Sequence, residues 1–151
     1  KESILGKVSR TIPSMLDYAV QIKAESMFNT PSVFAVYTCL LTLRWLESEG
    51  GVEVIGKKNS IKATQLYQEI DKNSKFIGFA EKESRSEMNA TFNLSDPTLI
   101  EPFDTLCHAA GINGLKGHRS VGGYRASIYN ALTMKSIKAL VDCMQNLEQN
   151  N

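Results

Sequence analysis

LKGHRSVGGYRASIYNAL, residues 115–132, decides how this chain is read. It sets His118, Arg119 and Arg125 around the glycine pair Gly122–Gly123. Extended segments over 114–118 and 125–130 bracket the glycines and predict a strand–turn–strand path that brings both arginines to one rim. A guanidinium is a planar fork that donates two parallel hydrogen bonds to a carboxylate or phosphate. His118 adds a donor whose charge changes near neutral pH. Glycine permits close backbone approach or a positive φ. These parts suit a ligand with two anionic groups. Residue types alone leave a blander reading open as well: two solvated arginines flanking a hairpin turn, with His118 satisfied by a nearby carbonyl.

The charge distribution favours the anion reading. The 151 residues carry 17 Lys and Arg against 16 Asp and Glu, for a net charge of +1. Residues 1–104 sum to −2, from 12 basic and 14 acidic side chains. Residues 105–141 sum to +5, from Lys116, Arg119, Arg125, Lys135 and Lys138 with no acid, and residues 142–151 return −2. An acid-free stretch of this kind attracts anions. A nucleic-acid surface calls for more Lys and Arg with interleaved aromatics, so a small anion is the better match. No run of about 18 apolar residues is present, so no membrane span is expected. The N-terminus KESILGKVSR is polar and lacks the apolar stretch of a signal peptide. The chain begins at Lys1 rather than Met, which is read as the mark of either a fragment or a recombinantly trimmed segment. Cys39, Cys107 and Cys143 are far apart, odd in number and without zinc spacing. They are read as buried, inert thiols in a reducing cytoplasm.

Periodicity predicts the remaining elements. Residues 1–28 read mostly as loop with a short helix near Met15 to Val20. Asn29 or Thr30 is expected to cap a helix with Pro31 in its first turn, running to Glu49. Its dense apolar content predicts burial around most of its circumference. Gly50–Gly51 stops it. A second helix spans 52–71, with Lys57, Lys58, Lys62 and Glu69 expected on its solvated face. Short strands follow over 76–79 and 88–94. Asp96–Pro97 opens a third helix ending at Gly111, with Pro102 expected to kink it or delay its start. Thr133 is expected to cap a last helix burying Ile137, Leu140, Val141, Met144 and Leu147. Tyr124 and Tyr129 are expected to pack inward. The order predicts an α+β fold: a small, mainly antiparallel sheet covered by helices.

Other motifs are weaker. Asn29–Thr30 reads either as a plain helix cap or as an anion site at a helix N-terminus. GINGLKG, residues 111–117, lacks the Lys-Ser or Lys-Thr pair of a P-loop. His108 has no partner at ligand spacing, no metal site is expected, and no Ser–His–Asp set can be assembled.

MFNTPSVFAVY (27–37), EGGVE (49–53), MNATFNL (88–94) and above all GHRSVGGYRASIYNA (117–131) resemble phosphoserine aminotransferases in order and spacing. The resemblance covers nearly the whole chain and concerns the C-terminal part of that family. It implies the C-terminal small domain of a fold-type-I aminotransferase over 29–151, with residues 1–28 lying against a large domain that precedes it. It implies a cytoplasmic homodimer that uses pyridoxal 5′-phosphate and exchanges an amino group between glutamate and 3-phosphohydroxypyruvate, giving phosphoserine and 2-oxoglutarate. Members also serve pyridoxine synthesis through a phosphorylated threonine derivative. By the same resemblance Arg125 grips the substrate α-carboxylate, His118 holds the substrate phosphate with Arg119 contributing, and Asn29 and Thr30 reach the cofactor phosphate of the neighbouring subunit. No lysine stands in the context of the family's Schiff-base lysine; Lys7 and Lys116 do not qualify, so these residues alone are expected to be inactive. The competing reading is a non-catalytic α+β domain that binds a small anion.

Overall fold

Alternation along Asn89–Leu94 builds the centre of the structure: Ala90 and Phe92 turn inward while Thr91 and Asn93 turn to the other face. This segment is the middle strand, β2, of a three-stranded antiparallel sheet. The computed structural model describes residues 3, 5–120 and 122–150; Val121, inside the hairpin read above, lies outside the described residues. The elements are α1 (Tyr18–Lys23), α2 (Val33–Ser48), α3 (Gly51–Lys72), β1 (Phe76–Gly78), β2, α4 (Ile100–Ala109), β3 (Tyr124–Ser127) and α5 (Met134–Asn150). They divide into two compact units, residues 1–47 and 48–151. No helix among the described residues is long and apolar enough to cross a membrane.

In the second unit β1 pairs with β2 (Phe76 opposite Leu94) and β2 with β3 (Thr91 opposite Arg125, Phe92 opposite Tyr124). Helices α3, α4 and α5 supply most of the rest of the core, with Leu99 and Ile128 completing it. Ile137, Leu140, Val141, Met144 and Leu147 all face inward from α5, as their spacing predicts. An aromatic cluster joins sheet to helix. Phe76, Phe92, Phe103 and Tyr124 meet with ring centroids 5.1–6.4 Å apart, mostly edge-to-face, and Phe92 lies stacked on Tyr124. Such pairs add about 0.5–1.5 kcal/mol each beyond area burial.

Several expectations are corrected. The segment 114–118 is not a strand: only Lys116 makes a bridge, to Tyr124. Helix α2 starts at Val33, two residues past Pro31, and Ser32 supplies the first carbonyl, to Val36 N–H at 3.1 Å. It is exposed rather than buried, with Phe34 82% and Val33 68% accessible, because no residue described here covers its apolar sides. Cys39, on the same helix, is exposed for the same reason, whereas Cys107 and Cys143 are buried. Tyr129 is exposed as well, since the chain has left the ladder of β3 by that point.

Two charges expected on the solvated face of α3 are buried instead: Lys62 is 2% accessible and Glu69 4%. The Lys62 ammonium donates to the carbonyls of Ile128 (3.2 Å), Tyr129 (2.7 Å) and Leu132 (3.0 Å), in the segment that follows β3. Burial lowers its pKa from the ordinary lysine value. Glu69 accepts from the Asn73 amide at 3.0 Å and the Gln145 amide at 2.9 Å. Pro102 costs nothing, because a 3-10 turn over Pro97–Leu99 carries the chain in and Pro102 then occupies the first turn of α4, where no amide is needed. The Asp96 carboxylate caps that turn, accepting from Thr98 N–H at 2.8 Å.

Candidate functional site

β3 is an edge strand, and the chain before it doubles back to extend that edge as an irregular hairpin. Arg125 N–H donates to Leu115 O at 2.7 Å, Gly117 N–H to Gly123 O at 2.8 Å, and Gly122 N–H to His118 O at 2.8 Å. Gly122 and Gly123 have φ of +77° and +65°, a region that side chains rarely enter. Close approach matters as much. A Cβ on Gly117 would collide with the Gly122 carbonyl, and one on Gly123 with the Asn93 carboxamide oxygen.

The hairpin is anchored from the core side. Tyr124, buried, donates its hydroxyl to Asp104 of α4 at 2.9 Å, and the other carboxylate oxygen of Asp104 pairs with Lys116 at 3.0 Å. One acid therefore ties both arms of the hairpin to α4. Burial, then the hydrogen bond to Asp104, pushes the Tyr124 phenol well above its usual range, so it stays a donor at any physiological pH. The same pair removes Lys116 from the free positive charge counted in the acid-free stretch.

Alternation along β3 buries Tyr124 and Ala126 and turns Arg125 outward, opposite Thr91. A cavity of about 210 Å³ opens there, with Phe79, Thr91, Asn93, Gly117, His118 and Arg125 in its wall. His118 and Arg125 are thus brought together. Arg119 is exposed at the turn and does not line this cavity. Neither arginine has a carboxylate partner among the described residues. His118 Nδ1 lies 2.8 Å from the Ser120 hydroxyl and accepts from Ser120 N–H at 3.3 Å. Thr91, Asn93 and Phe79 were not singled out by sequence reasoning. The register of β2 against β3 places Thr91 and Asn93 there, and only the alternation of 88–94 hinted at an outward face.

In the first unit Asn29 and Thr30 are adjacent, exposed and in no regular element. The Asn29 amide donates to Thr30 O at 3.3 Å. They do not cap α2, which begins beyond them. What they offer is a carboxamide and a hydroxyl beside a helix entrance, donors of the kind a phosphate accepts.

Comparison with known proteins decides the family. The class-V aminotransferase profile matches residues 3–140. The chain belongs to the class-V aminotransferases. It is 62% identical over 148 residues to a phosphoserine aminotransferase of Flavobacterium johnsoniae, covering 98% of this chain and 42% of that protein. Among solved structures, the phosphoserine aminotransferase from Bacillus circulans subsp. alkalophilus superposes with a TM-score of 0.88 at 39% identity, over 99% of this chain and 42% of the other. A pyridoxal-phosphate-bound phosphoserine aminotransferase from Trichomonas vaginalis does so with a TM-score of 0.81 at 37% identity, over 91% and 40%. The α+β aminotransferase architecture expected from the sequence is the one these relatives carry. This class-V aminotransferase chain spans about two fifths of the length of the relatives it matches.

Proposed function

We propose that these residues are the substrate-gripping C-terminal part of a phosphoserine aminotransferase, exchanging an amino group between glutamate and 3-phosphohydroxypyruvate. The observation that carries the reading is the placement of His118 and Arg125 on one cavity, with Arg125 free of any acidic partner among the described residues. Phosphoserine carries a carboxylate and a phosphate, and glutamate two carboxylates, so each substrate needs two cationic grips. Arg125 takes the α-carboxylate through its two-pronged fork, and its exit from a paired strand fixes where that fork begins. His118 donates to the substrate phosphate, and Arg119, exposed at the turn, adds charge there.

The donor set of Asn29 and Thr30 fits the phosphate of pyridoxal 5′-phosphate, held in this reading across a homodimer contact. That cofactor, when bound, supplies the electron sink for the substrate Cα carbanion. The lysine that anchors it belongs to the part of the protein outside these 151 residues, so they do not transaminate alone. In this reading residues 1–28 lie against that large domain, 29–151 make the small domain, and the apolar sides of α2 are covered by the remainder of the protein. The unpaired thiols fit a cytoplasmic enzyme.

The test is Arg125→Ala in the full-length protein, read as phosphoserine-dependent consumption of 2-oxoglutarate. Losing a two-pronged, charge-assisted contact lowers kcat/KM about 100-fold. Wild-type kcat/KM in that variant refutes the assignment, as does clear turnover by the isolated 151 residues.

A further inference from the structure

We propose that Ser120 is a positioning residue: it fixes the tautomer of His118 so that the ring offers its Nε2–H to the anion. The proposal rests on the reading of the hairpin as an anion grip. Two groups of Ser120 converge on one ring nitrogen, the hydroxyl at 2.8 Å and the backbone N–H at 3.3 Å from Nδ1. An amide N–H only donates, so Nδ1 is an acceptor, and in the neutral imidazole the proton then sits on Nε2. The serine hydroxyl is the adjustable partner. It donates to Nδ1 while the ring is neutral and accepts from Nδ1–H once the ring is protonated. Ser120 can thus hold the ring plane in both charge states.

The other ring nitrogen is left for a ligand. Nε2 has no hydrogen-bond partner among the described residues, and the exposed ring lines the same cavity as Arg125. The ring's own backbone is held too, since His118 O accepts from Gly122 N–H at 2.8 Å. His118 is therefore a directed donor whether or not it is charged, which suits a phosphate whose own charge changes near neutrality. Alanine at 120 keeps the weaker amide contact and loses the shorter one; threonine keeps both.

The experiment compares wild type, Ser120→Ala and Ser120→Thr in the full-length protein labelled with 15N-histidine, with the His118 signals assigned by their loss in His118→Gln. At alkaline pH the wild type and Ser120→Thr show Nδ1 unprotonated and Nε2 protonated, and Ser120→Ala shows a mixture of tautomers. The dissociation constant for inorganic phosphate rises about fivefold in Ser120→Ala, the expected effect of one misaligned hydrogen bond, and recovers in Ser120→Thr. A neutral His118 carrying its proton on Nδ1 in the wild type overturns the proposal, as does a tautomer or phosphate affinity unchanged by Ser120→Ala. The tautomer signal does not depend on which substrate the enzyme uses. Unaltered turnover in Arg125→Ala therefore removes the functional reading without touching this result.

Discussion

Gly117→Ala tests whether the hairpin geometry, rather than the mere presence of its charges, makes the grip. The added Cβ meets the Gly122 carbonyl well inside van der Waals contact. The atom it meets is backbone, so no side-chain rotation relieves the clash. The cheaper response is to open the turn and give up two hydrogen bonds, Gly117 N–H to Gly123 O and Gly122 N–H to His118 O. At about 0.5–1.5 kcal/mol net each, the cost is about 1–3 kcal/mol, roughly a 5- to 150-fold loss of the closed form. The aromatic cluster and the Tyr124–Asp104 bond lie on the far side of the sheet and are unaffected, so the thermal midpoint moves little. Gly122→Ala is the control. Its Cβ meets open space, and only the positive φ is strained, at about 1–2 kcal/mol. The assay is amide hydrogen exchange at residues 117 and 122, paired with KM for phosphoserine in the full-length protein. Protection falls and KM rises in Gly117→Ala, and both exceed the change in Gly122→Ala. Full protection at both amides in Gly117→Ala, with unchanged KM, refutes the steric argument.

Two further outcomes follow from charge and burial. Arg85 holds Asp71 through two contacts of 2.6 and 2.8 Å, and that hydrogen bond, followed by its charge, keeps the Asp71 carboxyl below the usual aspartate value. A lowered folded-state pKa means that the stabilisation is complete above the unfolded value near 3.8 and is lost as pH falls through the folded one. Urea midpoints measured from pH 5 to 2 should therefore fall more steeply in wild type than in Asp71→Asn; parallel curves contradict this. Burial, with Cys143 adding to it, pushes the Cys107 thiol up to about 12, while Cys39 is exposed. Iodoacetamide at pH 8 should label Cys39 in this chain and leave Cys107 unmodified, as read by peptide mass spectrometry; labelling of Cys107 first contradicts the packing around it.

The parts of this structure that local periodicity dictates were legible in the sequence. The α5 stripe, the alternation of β2 and the cap at Asp96 each depend on residues within a few positions of one another. Lys62 and Glu69 were misread because nothing nearby in sequence reveals their partners. Lys62 satisfies carbonyls about 66–70 residues away, and Glu69 takes the amide of Gln145, 76 residues on. A charge on an amphipathic helix looks solvated until the far ends of other elements arrive. Helix α2 was misread for the opposite reason. Its apolar sides announce burial, and no described residue covers them. At the candidate site, residue types singled out His118 and Arg125, which line one cavity, but Thr91 and Asn93 depend on the pairing of β2 with β3, which turn chemistry alone does not give.

The proposed anion grip stands at the edge of a small sheet, and the strand order gives a physical reason for that place. A central strand would bind Arg125 on both sides and leave no room for a second segment to fold over it. At the edge, β3 has one partner in β2, and its free side accepts the arm from Leu115 to His118, through Arg125 N–H to Leu115 O. Asp104 then neutralises Lys116 and binds Tyr124, so the arm is fixed by an acid that sits on the core side of the strand. Because β3 alternates, the residue next to Tyr124 points the other way. Arg125 therefore stands where the anchoring carboxylate cannot pair with it. A single period-two step separates the charge used for holding from the charge left free for the proposed binding. Moving the arginine by one position would turn it toward Asp104 and spend its charge on the fold.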